Sequence, residues 1–359
     1  MTLVQTVTKE KLYSECYNKN QIYRMIKKGE MPAALNNVVD YEFYLYLSSS
    51  VMASSSQEGN IDFETSSSGR YIRYNEIIGK GTTKKVYKGL DRALGMEIAW
   101  CKTELTEDML NNMEFLELLL TEGGLLMLLD HENIVKCYDS WVDEEAKTIH
   151  MITEYFPSGN LVQYLRNNHT LEGNAAIKNW CRQILNGIAY LHSQTPPIVH
   201  RDIKAENIFI NGKTGCVKLA DFGFALSLEQ GTCSQKYGTP RYMAPEIREG
   251  NGYNQLADIH SFGMCVLEMF TGEPPYSNCS TQSGFLALVE AGVEPPELCK
   301  VEGDDAYQFI SKCLAPASER PSAIELLNDP FLAPSFRSIL TARFLSLVRF
   351  VHRVCSCLS

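Results

Sequence analysis

Three short motifs follow one another in a fixed order in the second half of the chain, and no other feature restricts its fold as strongly. HRDIKAEN spans His200–Asn207, DFG spans Asp221–Gly223, and APE follows after a further 20 residues at Ala244–Glu246. Any one of them could occur on a turn by accident. Chance does not explain all three, because each motif would have to arise independently at its required distance from the others.

This set of motifs resembles the catalytic segment of protein kinases. The chemistry of phosphoryl transfer explains the residue types. Asp202 can accept the hydroxyl proton of a substrate, while Asn207 and Asp221 supply the hard oxygen ligands that Mg²⁺ prefers. Lys204 can contact the γ-phosphate of ATP, and a lysine at this position is typical of kinases that act on Ser and Thr. The resemblance therefore implies ATP and Mg²⁺ as cofactors and proteins as substrates.

The pattern of apolar residues changes from strand-like to helix-like along the chain. Residues 73–101 read as several short strands broken by glycines or turns, and two further strands come before Asn160. Residues 107–129 form a leucine-rich predicted helix in which Gly123 and Gly124 are unfavourable. Helical segments dominate after Asn160. We therefore expect an α+β, bilobal protein kinase fold, with a small β-rich N-lobe, a larger helical C-lobe and a ligand-binding cleft between them.

A glycine-rich segment, GKGTTKKV at Gly79–Val86, lies between two predicted strands at the start of the β-rich region. Glycines allow backbone N–H groups to approach phosphates closely. A lone glycine-rich sequence is weak evidence, and this one lacks its third glycine. Lys84 occupies that position. The predicted flanking strands make a nucleotide-binding loop the better interpretation.

The third strand of the β-rich region lacks the lysine that protein kinases carry there, because it reads IAWC and ends on Cys101. The glutamate that pairs with this lysine is still recognisable as Glu122. An acidic group that faces phosphates without a cation is costly, so another lysine must replace the missing one. Lys84 is the best candidate. Two alternatives stay open: Lys85 or Lys102, although strand alternation points both to the opposite face, or a chain without catalytic activity.

At this point the chain resembles the with-no-lysine (WNK) kinases, a family named for the displaced lysine. The similarity covers Tyr74 to Leu332 and includes YDSW at Tyr138–Trp141 and FGMCVLEMFTGEPPYSNC at Phe262–Cys279. The family implies phosphorylation of Ser and Thr, and roles in ion-homeostasis or stress signalling. Lys204 and Thr239 disfavour a tyrosine kinase. The alternative function is a catalytically impaired pseudokinase, a scaffold that binds nucleotide only.

The resemblance also implies a set of nucleotide-contacting positions in the first half of the chain. Catalysis would use Lys84 and Glu122 together with Asp202 and Lys204. The nucleotide-contacting positions, including the adenine pocket and hinge, are Gly79, Lys80, Gly81, Lys84, Val86, Ala99, Thr153, Glu154 and Phe156.

The chain departs from the family in two places that concern regulation. The family has leucines on either side of the glycine in its metal motif, where they help to form an inhibitory chloride site, and this chain has Phe222 and Phe224 instead. The activating serine of the family corresponds here to Gln235. Thr232 and Ser234 lie nearby and are the candidate phosphorylation sites of the activation segment. They could equally be exposed loop residues without a regulatory role.

Several other residues have predicted structural roles. We expect Arg201 to be available to bind a phosphate on the activation segment. Asp258 is expected to brace the catalytic loop from its helix, and Glu246 and Arg320 to form a buried ion pair. Trp100 is expected to pack in the core, as is Trp141.

Composition divides the chain into four zones: residues 1–47, a serine-rich linker at 48–70 predicted to be disordered, the kinase domain at 71–332, and an apolar, arginine-punctuated tail at 333–359. Residues 13–38 align without a gap to residues 276–301 and share seven identities over 26 positions. We infer that residues 1–47 are the remnant of a truncated copy of the same domain, corresponding to part of its C-lobe.

The bulk properties exclude several other classes of protein. A formal net charge of −10 argues against nucleic-acid binding. The 12 cysteines are scattered without a CxxC pair, which favours reduced thiols over disulfides or zinc. Neither a secretory signal nor an apolar run long enough to span a membrane is present. We therefore expect a cytoplasmic protein. The tail could contact a membrane surface weakly, dock as a C-terminal helix, or be irregular.

Overall fold

A computed structural model describes residues 63–81, 84–167, 174–229, 231–250, 252–279 and 281–333 of the chain. The chain divides into two compact units. The first comprises the chain up to Leu128 together with Lys136–Tyr155, and the second comprises Leu129–Val135 and the chain from Phe156 onward. The predicted C-lobe fragment at 1–47 and nearly all of the predicted tail lie outside the described residues.

The first unit contains a six-stranded antiparallel sheet with the strand order β1-β2-β3-β4-β6-β5. Its strands are β1 (Phe63–Thr65), β2 (Tyr71–Lys80), β3 (Lys84–Asp91), β4 (Met96–Glu104), β5 (Cys137–Asp143) and β6 (Thr148–Glu154). Each strand follows its neighbour through a short connection except β5, which is reached through helices. The strands predicted between residues 73 and 101 are confirmed.

The first strand differs from the prediction, because residues 63–65 belong to the segment that the sequence predicts to be a disordered linker. Phe63–Thr65 instead pair antiparallel with β2, where Phe63 lies opposite Tyr74 and Thr65 opposite Ile72. Backbone hydrogen bonds to an existing sheet edge can order a short segment that has little apolar side chain of its own to bury. Residues 48–62 of the linker lie outside the described residues.

The predicted helix at 107–129 is two helices, α1 (Glu107–Asn111) and α2 (Met113–Leu128). They separate at Asn112, whose backbone is extended at φ −95° and ψ 90°. The amide oxygen of Asn112 accepts a hydrogen bond from the backbone N–H of Phe115, at 3.1 Å. An asparagine that binds the backbone ahead of it in this way favours a helix start over a helix interior, so α2 begins afresh after the break.

The two glycines of α2 have different surroundings. A Cβ atom on Gly123 would lie 2.1 Å from Oγ and 2.8 Å from Cβ of Ser140 in β5, whereas a Cβ on Gly124 would meet nothing within 4 Å. Gly123 therefore allows the helix to lie close against the sheet. Its neighbour Glu122 is buried.

Alanine substitution should separate the two glycines. We expect Gly123→Ala to lower the free energy of unfolding by about 1–3 kcal/mol, because the new methyl group overlaps Ser140. Gly124→Ala, the matched control on the exposed side of the same helix, should raise it by about 0.5–1 kcal/mol through helix propensity. Denaturant unfolding of both variants checks this. Equal effects of the same sign would show that the contact with Ser140 does not constrain the helix.

An aromatic cluster fills the face of the sheet around Trp100, which is 1% exposed. The Trp100 ring contacts Trp141 edge to face, with centroids 5.3 Å apart, and its Nε1 donates to Nδ1 of His150 at 2.8 Å. Burial lowers the pKa of His150 to about 4, so the ring is neutral near pH 7 and can accept this bond. The predicted packing roles of Trp100 and Trp141 are confirmed.

The second unit is mainly helical. Its helices are α3 (Leu161–Asn167), α4 (Ala175–His192), α5 (Pro245–Glu249), α6 (Leu256–Thr271), α7 (Gln282–Glu290), α8 (Asp304–Leu314) and α9 (Ala323–Leu327). Two short antiparallel strand pairs accompany them: β7 (Ile198–Val199) pairs with β10 (Leu226–Ser227), and β8 (Ile208–Asn211) pairs with β9 (Cys216–Leu219) in a hairpin. The helices predicted after Asn160 are confirmed.

Helix α6 forms the centre of the second unit, since every residue from Ala257 to Met269 is buried. A helix that is buried on all sides needs small residues where its neighbours approach. Gly263 is one of them, because a Cβ there would lie 2.6 Å from Cβ of Cys313 in α8. This helix also carries Asp258, which reaches the catalytic loop.

A β-rich first unit and a larger, helix-rich second unit confirm the predicted α+β class, with a small N-lobe and a larger C-lobe. Within the part of the chain that the structure describes, no helix combines the length and apolar character needed to cross a membrane.

Candidate active site

Lys84 lies at the start of β3, and its ammonium group contacts the carboxylate of Glu122 in α2. Its Nζ lies 2.7 Å from Oε1 and 2.9 Å from Oε2. The Glu122 side chain is only 6% exposed and the Lys84 side chain 20% exposed. The structure thus brings Glu122 together with the lysine that the sequence predicts to replace its usual partner.

The register of the sheet explains why Lys84 can lie near the position that Cys101 occupies. Val86 in β3 lies opposite Cys101 in β4, and Lys84 lies opposite Thr103. Residues two apart on a strand, and residues directly opposite on its neighbour, share one face of a sheet. Lys84 and the buried Cys101 therefore belong to the same face, and a lysine at either position starts from that face.

The two alternative lysines lie on the other face and have other partners. Lys85 and Lys102 are directly opposite each other in the register. Nζ of Lys85 lies 2.9 Å from Glu104, and Nζ of Lys102 lies 3.7 Å from Glu64. Strand alternation therefore separates both lysines from Glu122.

The predicted nucleotide-contacting positions fall on four strands and on the turns that follow two of them. Gly79 and Lys80 end β2, and the backbone N–H of Gly81 donates to the carbonyl of Lys84 at 2.7 Å, which closes the described part of the glycine-rich turn. Ala99 and Thr153 lie opposite each other in β4 and β6. The rest of this predicted set is Val86 in β3, Glu154 at the end of β6, and Phe156, which belongs to the second unit.

Asp202 is the centre of a hydrogen-bonded cluster in the second unit. Its Oδ2 accepts from Nζ of Lys204 at 2.8 Å and from Nδ2 of Asn207 at 2.9 Å, and its Oδ1 accepts from the hydroxyl of Thr239 at 2.6 Å. Lys204 also donates to the Thr239 hydroxyl, at 2.7 Å. Asp202 is 4% exposed, and the three donors fix the orientation of its carboxylate.

Thr239 is a further candidate for a functional residue, whereas the sequence alone identifies it only as evidence against a tyrosine kinase. Its hydroxyl links Lys204 to Asp202. The available signal is the position of Thr239 in the tripeptide Gly238-Thr239-Pro240, shortly before the APE motif. A linear sequence does not show that this segment folds back onto the catalytic loop.

Asp258 of α6 fixes the catalytic loop by accepting hydrogen bonds from its backbone. Its carboxylate accepts from the backbone N–H groups of His200 and Arg201, at 2.9 and 3.0 Å, and from Nε2 of His192 at 3.0 Å. Burial alone would raise the pKa of Asp258, but these hydrogen bonds outweigh it and lower that pKa below its ordinary value. Arg201 adopts a left-handed backbone at φ 66°. The predicted bracing role of Asp258 is confirmed.

The β8–β9 hairpin brings the two predicted metal ligands to its open end. Asn207 precedes β8, and its carbonyl accepts from the N–H of Ala220 at 2.9 Å, directly before Asp221. The Asn207 amide nitrogen is used by Asp202, so its amide oxygen is the atom available to a cation. Asp221 is exposed and adopts φ 62°. An amide oxygen beside a carboxylate is a donor set that suits Mg²⁺.

The phenylalanines of the metal motif are both packed against other rings. Phe222 is buried with its ring centroid 4.6 Å from that of His200, and Phe224 stacks on Tyr237 at 5.5 Å. Phe222 and Phe224 stand where the family has leucines, and their larger rings leave less room. Further along the segment, the candidate phosphorylation sites Thr232 and Ser234 are exposed.

The activation segment ends on a buried ion pair. Nη1 of Arg320 lies 2.5 Å from Oε1 of Glu246, and its Nη2 lies 3.2 Å from Oε2. Burial raises the pKa of Glu246, but the guanidinium lowers it by more, so the net shift is downward. The same arginine binds the carbonyls of Ala315 and Leu256. This pair confirms the prediction for both residues.

Residues 72–332 match the family model described as the protein kinase domain. The chain is 52% identical over 270 residues to serine/threonine-protein kinase WNK8 of Arabidopsis thaliana, a match that covers 75% of this chain and 47% of that protein. It is 47% identical over 272 residues to probable serine/threonine-protein kinase WNK6 of Oryza sativa subsp. japonica, with 75% of this chain and 61% of the relative covered.

The chain spans only about half the length of the first of these relatives. The family model covers most of the chain, and these relatives are all named as WNK kinases. The chain belongs to the protein kinase family and, within it, to the with-no-lysine kinases.

Proposed function

We propose that this chain is an active Ser/Thr protein kinase of the WNK type, which transfers the γ-phosphate of ATP to Ser or Thr hydroxyls of protein substrates in the cytoplasm. The observation that carries the proposal is the Asp202 cluster. A carboxylate that is held by Lys204, Asn207 and Thr239 is arranged to receive a proton. A scaffold that only bound nucleotide would have no need of it.

Asp202 has the hydrogen-bonding capacity that a general base needs. A carboxylate oxygen can accept two hydrogen bonds, and among the described residues Oδ1 accepts one, from Thr239. A substrate hydroxyl can take the second position and be oriented by it. Lys204, on the other carboxylate oxygen, places a positive charge beside the transferred phosphoryl group.

Lys84 is proposed to hold the α- and β-phosphates of ATP, in the role of the lysine absent at position 101. Glu122 fixes the ammonium group from behind with both carboxylate oxygens. Lys80 and the glycines at 79 and 81 would place backbone N–H groups and a cation near the phosphates, while Val86, Ala99, Thr153, Glu154 and Phe156 would contact the nucleoside.

Asn207 and Asp221 are proposed to hold Mg²⁺ through the amide oxygen and the carboxylate. When bound, Mg²⁺ neutralises negative charge on the phosphates. The fit is supported by the Asn207 amide, whose nitrogen is bound to Asp202 and whose oxygen is thereby turned outward from that contact. Mg²⁺ commonly takes only one or two protein ligands and completes its shell with phosphates and water.

Radiolabelled phosphate transfer tests the proposed function. The full chain is incubated with Mg²⁺ and γ-labelled ATP, alone and with peptide libraries that contain a single Ser, Thr or Tyr. We expect label on Ser and Thr and little on Tyr. If no peptide and no residue of the chain is labelled while Mg·ATP still raises the melting temperature, the chain is a nucleotide-binding scaffold.

A further inference from the structure

The side chain of Arg201, next to the proposed base Asp202, is enclosed by the activation segment. Arg201 is 3% exposed. Its Nε donates to the carbonyl of Phe224, and its Nη1 donates to Oε1 of Gln235 at 3.0 Å and contacts Sγ of Cys233 at 3.7 Å. Nη2 is buried and has no hydrogen-bond partner within the described residues.

The hydrogen-bond acceptors around this guanidinium are all neutral groups. No carboxylate of the described residues forms an ion pair with Arg201, and its acceptors are a carbonyl, an amide oxygen and a thiol. A buried charge is costly unless its hydrogen bonds are satisfied. Among these acceptors, only the Gln235 amide is an oxygen atom on a side chain. We therefore expect it to contribute strongly to holding the arginine in place.

Gln235 is itself held in position by its surroundings. The hydroxyl of Tyr253 donates to the Gln235 carbonyl at 2.8 Å, and the backbones of Cys233 and Tyr253 exchange two hydrogen bonds of 2.8 Å. Next to it, Tyr237 stacks on Phe224 and lies under the Arg201 guanidinium, 5.2 Å from the ring centroid. The amide oxygen is therefore presented to Arg201 by an ordered segment.

The same segment touches the catalytic loop again three residues later. A Cβ on Gly238, which has φ 126°, would lie 2.4 Å from the carbonyl oxygen of Arg201, so only glycine permits this contact. Thr239 follows and donates to Asp202. Gln235 and Thr239 thus fix the catalytic loop from two points, one through Arg201 and one directly.

The two candidate phosphorylation sites are directed away from this contact. Cys233 is buried against Arg201, while Thr232 and Ser234 on either side of it are exposed. Neighbouring residues of an extended segment point to opposite sides. A phosphate on either hydroxyl would have to displace the ordered segment to reach the guanidinium.

We propose that Gln235 is a positioning residue, whose side-chain amide holds Arg201 and thereby the catalytic loop in the active arrangement without phosphorylation of the activation segment. The inference rests on the proposed function, because it concerns the control of phosphate transfer. A phosphate commonly supplies such an anchor through a newly formed arginine pair. Here a neutral amide already fills the position.

Two substitutions of Gln235 test the proposal. Gln235→Met keeps the length of the side chain and removes the acceptor, and it should lower kcat by about 10–100-fold with little change in KM for ATP, since a displaced catalytic group loses rate. Gln235→Glu restores an acceptor that can bind Nη1 and Nη2 together, and its activity should lie within about threefold of the unsubstituted chain. A merely structural role would lower the melting temperature of Gln235→Met without lowering kcat at temperatures where the variant stays folded.

The phosphorylation state is controlled in the same experiment. The unsubstituted chain is treated with phosphatase and its mass checked, and a Thr232→Ala, Ser234→Ala variant is measured beside it. Both should keep most of their initial activity. Hydrogen exchange of residues 200–207 gives a readout that needs no activity: exchange should rise in Gln235→Met and stay low in Gln235→Glu and in the dephosphorylated chain.

Three results would overturn the inference: full activity of Gln235→Met with unchanged exchange, loss of activity on dephosphorylation, or equal defects in Met and Glu variants. If the unsubstituted chain transfers no phosphate at all, the proposed function fails instead. The exchange data then decide on the Arg201 contact alone.

Discussion

Lys84→Met is expected to lower kcat/KM for Mg·ATP by about 10²–10³-fold, the loss that follows removal of one fixed charge from a transition-state site. The reason is specific to this chain, because position 101 is a buried cysteine and cannot supply the cation. Initial rates of labelled phosphate transfer over a range of ATP concentrations measure the effect.

Lys85→Met is the matched control, since Lys85 is the next residue of the same strand and pairs with Glu104 on the opposite face. Its rate constants should lie close to those of the unsubstituted chain. Lys102→Met tests the remaining alternative. Full activity in Lys84→Met together with loss in either control would assign the phosphate contact to another lysine.

Loss of stability must be separated from loss of the proposed phosphate contact. Lys84→Met leaves Glu122 buried without its cation, which costs towards the lower end of about 3–5 kcal/mol because Lys84 is partly exposed. The double variant Lys84→Met, Glu122→Gln removes that uncompensated charge. It should recover most of the free energy of unfolding and none of the activity.

The candidate catalytic residues could be predicted from sequence because their chemistry is local. HRDIKAEN and DFG carry the side chains and the turns that place them, so the cluster around Asp202 follows from a short segment. The pair of Lys84 and Glu122 was also predictable, since a buried acid requires a cation and strand alternation excludes the neighbouring lysines. Thr239 was missed because its role depends on tertiary contact.

The unpredicted features of the fold depend on contacts between distant segments. Gly123 looked unfavourable for a helix, and only the position of Ser140 shows why alanine would not fit. The polar composition around strand β1 predicts a disordered linker, while the order of the strand comes from pairing with β2. Local propensity yields to tertiary packing at both places.

Asp202→Asn is expected to lower kcat by about 10²–10⁴-fold while Mg·ATP binding persists, because the variant removes the proton acceptor and little else. The asparagine oxygen can still accept from Lys204 and Asn207, and its amide nitrogen can donate to the hydroxyl of Thr239. The loop should therefore keep its hydrogen bonds. Single-turnover phosphate transfer at saturating ATP measures the chemical step.

Glu206→Gln provides the control from the same loop, since Glu206 is an exposed carboxylate one residue before Asn207. Its removal changes the charge by the same amount as Asp202→Asn and should leave the chemical step nearly unchanged. Thermal shifts with Mg·ATP should be alike in both variants and in the unsubstituted chain. Activity of Asp202→Asn above about one tenth of the unsubstituted level is incompatible with a general base at this position, because proton transfer contributes at least about 10²-fold. The scaffold alternative predicts the opposite pattern, in which neither substitution changes any measured property.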